Sequence, residues 1–436
     1  LQGLAEKIRS ARFKAGLWLA PFIVCSNSSL YKEHPNWILR NQKGKKVAAG
    51  TNPIWGGTYY ALDCTHPEVQ DHLKKLFKAI VELGFGFIKI DFVFAAALPG
   101  KHFNEQATRI SAYRQGLAAI REGAGDETFI LGCGAPWGPS IGLVDGMRIG
   151  QDVGPSWRHW SKILIGKKYV IGAANAMHNT ITRYFMHQKF WINDPDCILA
   201  RENRTRLSEE EIKSLITVIG LSGGMVLSSD NYAELSDERL RWIAKLIPPS
   251  GTSAIPFDLM ENEMPRVLIL NDKKSDKILI GFINWKDKPV NFYLDFKELK
   301  IPNGNYHLFK FWEETYSGIV SHGHTLSNVP AHGCSLISLQ LVQNFPQIIA
   351  SNFHITCGIV DIAESNYNPQ SRQLYFKINI KRHASGKIFI SVPEGFREKK
   401  ISSSAKSCEM HRSSSDNTLL IVKAVVEKEA TFGIDF

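Results

Sequence analysis

Phe85-Gly86-Phe87-Ile88-Lys89-Ile90-Asp91-Phe92 is a short apolar run that ends on a carboxylate. It reads as a buried strand from Phe85 to Asp91. Gly84 separates it from an amphipathic helix that runs back to a capped start at Thr65, with Pro67 in the first turn and Glu68 reaching back. Downstream, a helix is expected over roughly Asn104–Glu122, then a strand Phe129–Cys133 and a strand Gly146–Gly150. Strand, helix, strand in this order argues a parallel sheet with helical crossovers.

The same alternation extends both ways. Leu4, Ile8 and Ala11 mark one face of a helix over Leu4–Ala15; Gly16 ends it, and Gly16–Phe22 reads as a strand. A polar and aromatic insertion fills Ser26–Asp63. Toward the C-terminus we expect a helix Ala173–Met186, a strand Phe190–Ile192, a capping box of Ser208 and Glu211 opening a helix to about Leu221, and a strand Gly224–Leu227. Ser236 caps a last helix, ended by Pro248 and Pro249. Six strand–helix units result. A closed (β/α)8 barrel has eight strands in typically about 250 residues. The pattern opens in mid-course, on the helix Leu4–Ala15. The fold class expected is therefore α/β, a TIM-type barrel over 1–250 lacking its first two strands; an open six-stranded sheet is the alternative. After Pro249 short alternating segments predict an antiparallel β domain over 251–345 and a further β-rich domain over 346–436, with Ser402–Ser415 as a loop or ribbon turn.

The 436 residues are 44% hydrophobic and 22% charged, which excludes a disordered or low-complexity chain. No apolar run reaches the roughly 18 residues of a membrane helix, so no membrane partner is expected. The net charge is +10, but bases are interleaved with acids, as in Arg397-Glu398-Lys399-Lys400, and no nucleic-acid motif accompanies them. Seven Cys without CxxC spacing predict free thiols, with a reducing, cytoplasmic compartment favoured. His322 and His324 lack a third ligand nearby, Gly132-Cys133-Gly134 is not a phosphate loop, and no GxGxxG occurs; neither metal nor cofactor is expected.

In a barrel the chemistry belongs at the C-terminal ends of the strands. Asp91 ends one strand, with Lys89 two residues earlier on the same face. Asp152 ends Gly146-Met147-Arg148-Ile149-Gly150-Gln151-Asp152, with Arg148 upstream on the same side. These strands are not adjacent, so the two carboxylates can face each other. Asp194, Asp196 and Asp230 mark the ends of later strands, and Asp194 and Asp196 are equally suited to fixing a turn through Pro195. Trp18, Trp37, Trp55, Trp137, Trp157, Trp160 and Trp191 cluster near the same strand ends. Indole walls with opposed carboxylates suit a sugar ring. A retaining glycosidase needs about 5–5.5 Å between its carboxylates, an inverting one about 6.5–9.5 Å, and sequence spacing leaves the two open.

Trp18-Leu19-Ala20-Pro21-Phe22, Lys89-Ile90-Asp91-Phe92, Phe129-Ile130-Leu131-Gly132-Cys133-Gly134, Met147-Arg148-Ile149-Gly150-Gln151-Asp152 and Phe190-Trp191-Ile192-Asn193-Asp194-Pro195-Asp196 occur in this order. Together they resemble the successive strand ends of the melibiase group, α-galactosidases of glycoside hydrolase family thirty-six, over about residues 1–250. The resemblance implies a retaining double displacement on terminal α-linked galactose of oligosaccharides. Asp91 matches the nucleophile and must act ionised. Asp152 matches the acid/base and must start protonated, which calls for partial burial or a like-charge neighbour. Lys89 and Arg148 match positions that hydrogen-bond sugar hydroxyls, Trp18 and Trp191 match aromatic walls, and Cys133 lines the site. The family's pair of acidic residues at its second barrel strand has no counterpart here. A raffinose-synthase-like transglycosylase, or a catalytically incomplete carbohydrate-binding remnant, is the alternative. The residues leave linkage preference and homo-oligomer formation open.

Overall fold

A computed structural model describes residues 1–158 and 171–436. The chain forms two compact units: Leu1–Ile149 with Gln188–Asp194, and Gly150–His187 with Pro195–Phe436.

The first unit is built on a five-stranded parallel sheet. Its strands, Gly16–Leu19, Phe87–Ile90, Phe129–Gly132, Gly146–Arg148 and Ile192–Asp194, lie side by side in chain order. The register runs Trp18 beside Lys89, Lys89 beside Leu131, Leu131 beside Gly146, and Gly146 beside Ile192. Helices Gln2–Ser10, Pro67–Glu82 and Arg109–Ala124 belong to this unit. Pro67–Glu82 buries Val69, Leu73, Phe77 and Ile80, spaced three or four apart on one face. Each such side chain contributes about 1.5–3 kcal/mol when fully buried. Helix Arg109–Ala124 approaches closely at Gly116, where a Cβ would stand 2.8 Å from Cys64 Sγ and 2.9 Å from the Phe22 ring.

Local readings differ from the sequence at several points. The cap of Pro67–Glu82 is His66, whose Nδ1 accepts the Glu68 N–H at 3.2 Å. Thr65 instead donates to Asp63 Oδ1 and accepts the Asn104 N–H, tying two loops together. The insertion folds into an antiparallel ribbon of Ile23–Cys25, Gly57–Ala61 and Ala48–Asn52. The strand read as Phe190–Ile192 lies two residues later, at Ile192–Asp194.

In the second unit, Leu227–Ser228 pairs in parallel with Cys197–Ile198. Helices Ala173–Thr182, Glu209–Ser222 and Asp237–Ala244 share one core with the β sheets that follow, through Met177, Ile216, Trp242, Leu279, Leu336 and Ile349. This shared core is why the compact division cuts inside 1–250. Ser208 and Glu211 form the expected reciprocal capping box, and Ser236 accepts the Arg239 N–H.

No helix follows Asp237–Ala244 among the described residues. A six-stranded antiparallel sheet centres on Lys277–Ile283 and Cys334–Leu341. Two four-stranded antiparallel sheets then bury one core between them, with Phe376, Ile388, Val422 and Phe432 in it. Ser402–Ser415 is not a simple loop: Lys400–Ser403 and Ser407–Arg412 are strands of different sheets. Both are edge strands that are largely exposed; only Ile401 in the first and Cys408 and Met410 in the second pack against the core, a weak apolar signal in a Ser-rich stretch. None of the seven cysteines is in a disulfide, and no described helix is long and apolar enough to cross a membrane.

Candidate active site

Strand Phe87–Ile90 buries Ile88 and Ile90 completely and turns Lys89 and Asp91 to its other face. The Asp91 N–H donates to Leu19 O at 2.9 Å, which continues the ladder one residue past the strand. Phe92 then takes a left-handed conformation, φ 54°, and opens a tight helical turn over Val93–Ala97. A non-glycine residue there stores strain, a feature that concentrates at functional sites. The turn aims the Phe92 N–H back at Asp91 Oδ1, 2.7 Å away. Trp18, beside Lys89 in the neighbouring strand, donates its indole N–H to Asp91 Oδ2 at 3.2 Å. Each carboxylate oxygen therefore has its own N–H donor.

The next strand closes this corner. Cys133 N–H donates to Ile90 O at 2.8 Å, and the Phe94 N–H donates to Gly134 O at 2.8 Å. Gly134 has φ 57°, and a Cβ on it would stand 3.3 Å from Asp91 Oδ1. Burial pushes the Cys133 thiol up to about 12; the charge of Asp91 acts in the same direction, and those of Lys89 and Arg148 oppose it. Asp91, Lys89, Arg148 and Cys133 thus form one electrostatic neighbourhood. The thiol is neutral at ordinary pH and is not a nucleophile.

An aromatic wall stands over the corner. Trp55 lies 6.2 Å from Trp18 and meets Phe92 edge to face at 5.2 Å; Tyr59 lies 5.8 Å from both Trp55 and Phe92. Tyr59 and Phe92 were not singled out in the sequence. Phe92 follows Asp91 directly, and Tyr59 alternates in Gly57–Ala61, so adjacency and period were the available signals. Trp18 is 47% exposed, which leaves indole surface for a ligand.

The expected gathering of tryptophans is only partly realised. Trp37 is buried in the insertion, stacked on His34 and donating to Glu68. Trp137 opens a short helical turn, Trp137–Ser140, and Trp157 stacks on His332 in the second unit. Trp160 lies outside the described residues. Trp191 precedes its strand rather than following it and is 4% exposed against Phe190. Its indole N–H has no hydrogen-bond acceptor among the described residues. The structure does not bring Trp191 into the aromatic wall. The residue that ends that strand is Asp194, fully buried and in register with Arg148.

The strands that lead to Asp91 and Asp152 are separated by Phe129–Gly132, as their spacing predicted. Asp152 itself belongs to the second unit and is exposed rather than partly buried. Its loop is fixed on either side of it: Val153 N–H donates to Asp196 Oδ2 at 2.6 Å, and Asn175 donates to Gln151 at 3.3 Å. Asp230 accepts from Ala200 N–H and Arg201, both at 2.6 Å, a turn-fixing role.

Residues 1–121 match the Melibiase family. Over 73 residues the chain is 34% identical to α-galactosidase 2 of Pediococcus pentosaceus, covering 17% of this chain and 9% of that protein. It is similar to the α-galactosidase of Thermus thermophilus solved in complex with stachyose: 34% identity, TM-score 0.51, 56% of this chain and 52% of the other. The chain thus spans about half of the Thermus enzyme and a small part of the curated relative. An isomalto-dextranase of Arthrobacter globiformis shares the fold over 100% of this chain and 84% of its own, with 14% identity and TM-score 0.52. The mixed α/β fold with C-terminal antiparallel sheets is the one these structures share.

Proposed function

We propose that the chain carries the catalytic machinery of a retaining glycoside hydrolase that releases terminal α-linked galactose from oligosaccharides. On this reading residues 1–250 belong to a (β/α)8-type barrel, followed by β domains over 251–345 and 346–436. The observation that carries it is the Asp91 carboxylate, held at a strand end by Phe92 N–H and Trp18 Nε1–H beneath an aromatic wall. The similarity to α-galactosidases supports galactose as the sugar.

Asp91 attacks the anomeric carbon as the bond to the leaving oxygen breaks, and Asp152 gives that oxygen its proton. Asp152 then takes a proton from water, whose oxygen displaces Asp91 from the glycosyl ester. Two inversions return the starting anomer. Lys89 and Arg148 hydrogen-bond ring hydroxyls, Trp18 with Trp55 receives the sugar's C–H face, and the neutral Cys133 thiol fills the wall beside Asp91.

The test is hydrolysis of p-nitrophenyl α-galactoside, with the released anomer followed by NMR. α-Galactose should form first, and Asp91→Ala should lower the rate by about 10⁴-fold or more. β-Galactose as first product overturns the retaining mechanism; an unaffected Asp91→Ala overturns the nucleophile. A product longer than the donor, formed with excess raffinose as acceptor, identifies transglycosylation instead.

A further inference from the structure

We propose that the second unit carries a separate, non-catalytic pocket for a neutral oligosaccharide, walled by Trp312, Glu314, Asn352 and Ser385. It gives the C-terminal β stretch a role in ligand binding, and it does not depend on the role of Asp91. A cavity of about 550 Å³ opens where helix Asp237–Ala244, the turn at Trp312–Glu314 and the segments around Asn352 and Ser385 meet. Small-molecule sites usually measure about 300–1,000 Å³.

One wall is aromatic. Trp242 and Trp312 meet edge to face, 5.6 Å apart at 72°. Trp312 is half-buried, and its N–H is fixed on Thr217 Oγ1 at 2.9 Å. The other wall is polar and rigid. Glu314 accepts from Asn352 Nδ2 at 2.6 Å and from Lys387 at 2.8 Å, with Lys245 at 3.5 Å. Asn352 Oδ1 in turn accepts the Lys387 N–H at 2.6 Å. Glu314 has φ 48°, the left-handed residue of the turn that joins the paired strands Tyr306–Lys310 and Thr315–Val320.

Most cations around the cavity already have acceptors, and the carboxylates of Asp237 and Glu238 stand with Arg241 in its lining. Lys245 and Lys387 are engaged by Glu314, and Lys213 by Glu209 and Glu210. Arg382 is spent on the carbonyls of Ala244, Ile247 and Phe353. An ionised carboxylate offers about four acceptor positions, and these contacts use three. Beside Asp237, Glu238, Arg241 and His383, the lining offers an acceptor with capacity left, a hydroxyl at the exposed Ser385, and indole carbon. Hydroxyl donors on a ring with apolar C–H faces match that set; an apolar ligand would strand the polar wall.

The test titrates stachyose, maltotetraose and isomaltotetraose into the Asp91→Ala chain by calorimetry, beside Ser385→Trp in the same background. Ser385 is exposed, so the indole fills the cavity without entering the core. At least one sugar should bind, at least tenfold more weakly to the Ser385→Trp chain, at an unchanged melting temperature. With Asp91 intact, Ser385→Trp should leave p-nitrophenyl α-galactoside hydrolysis unchanged. Glu314→Gln, which keeps the shape and drops the charge, should also weaken binding. The proposal is overturned if no sugar binds, if Ser385→Trp binds equally well, or if pyrophosphate competes more strongly than any sugar.

Discussion

Asp91 is oriented by two donors of different origin, a backbone N–H set by the left-handed Phe92 and an indole N–H 73 positions away in sequence. The first is local and rigid; the second depends on the pairing of two strands. Removing a hydrogen bond to a charged group costs about 1.5–3 kcal/mol, or roughly 10- to 100-fold in rate where the bond matters in the transition state. Trp18→Phe keeps the ring and deletes the N–H. We expect kcat for p-nitrophenyl α-galactoside to fall by about that factor, with a smaller change in KM. A rise in KM alone would reduce Trp18 to a stacking platform. The carboxylate, Lys89 and Arg148 were legible because strand period and strand end fix them. The Trp18 contact was not, because nothing in the local sequence states which oxygen the indole reaches.

At the scale of elements, helix starts depend on which side chain reaches the free N–H groups. Ser208 was readable because Ser and Glu three apart satisfy each other without outside help. Thr65 looked like a cap but was captured by Asp63 and Asn104, and His66 took its place. Ser208→Ala removes one arm of the box. It should lower the stability of the second unit by about 1 kcal/mol, seen as a lower urea midpoint at constant slope. No change would mean that Glu211, which also binds His332, holds the helix start without the serine. Strands Lys400–Ser403 and Ser407–Arg412 were hidden for the opposite reason: at sheet edges, backbone pairing forms with little apolar surface, here only Ile401, Cys408 and Met410.

Across the second unit, Lys277 and Asp361 are buried together where the six-stranded sheet meets the C-terminal pair of sheets. Lys277 donates to Ile349 O at 2.6 Å, and Ser351 donates to Asp361. Burial pushes Asp361 up to about 6, opposed by the Ser351 hydrogen bond and by Lys277. Burial likewise pulls Lys277 down to about 8. For Asp361 the folded value exceeds the unfolded one, so its stabilising effect is complete below about pH 4 and is lost as pH rises to about 6. For Lys277 the folded value is depressed, so its effect is present above its ordinary range and is lost as pH falls toward 8. Near pH 7 both groups are penalised. Asp361→Asn should therefore stabilise the unit at pH 7 relative to pH 4.5, by about 1–3 kcal/mol in urea unfolding. Equal effects at both values, or a loss confined to pH 7, would show that the Lys277–Asp361 attraction outweighs the cost of burial.

The sequence by itself determined the strand and helix order, the change to antiparallel β structure after Pro249, the capping box, and the Asp91 carboxylate just past a strand end. These follow from periodicities and caps written within a dozen residues. Only the tertiary structure decided which tryptophans meet Asp91, that Trp191 lies before its strand, and that the later helices share a core with the β sheets. It also decided that a pocket opens between segments more than 100 residues apart. Those outcomes depend on register and on competition for buried surface and hydrogen-bond partners, and such competition is settled only when distant segments pack.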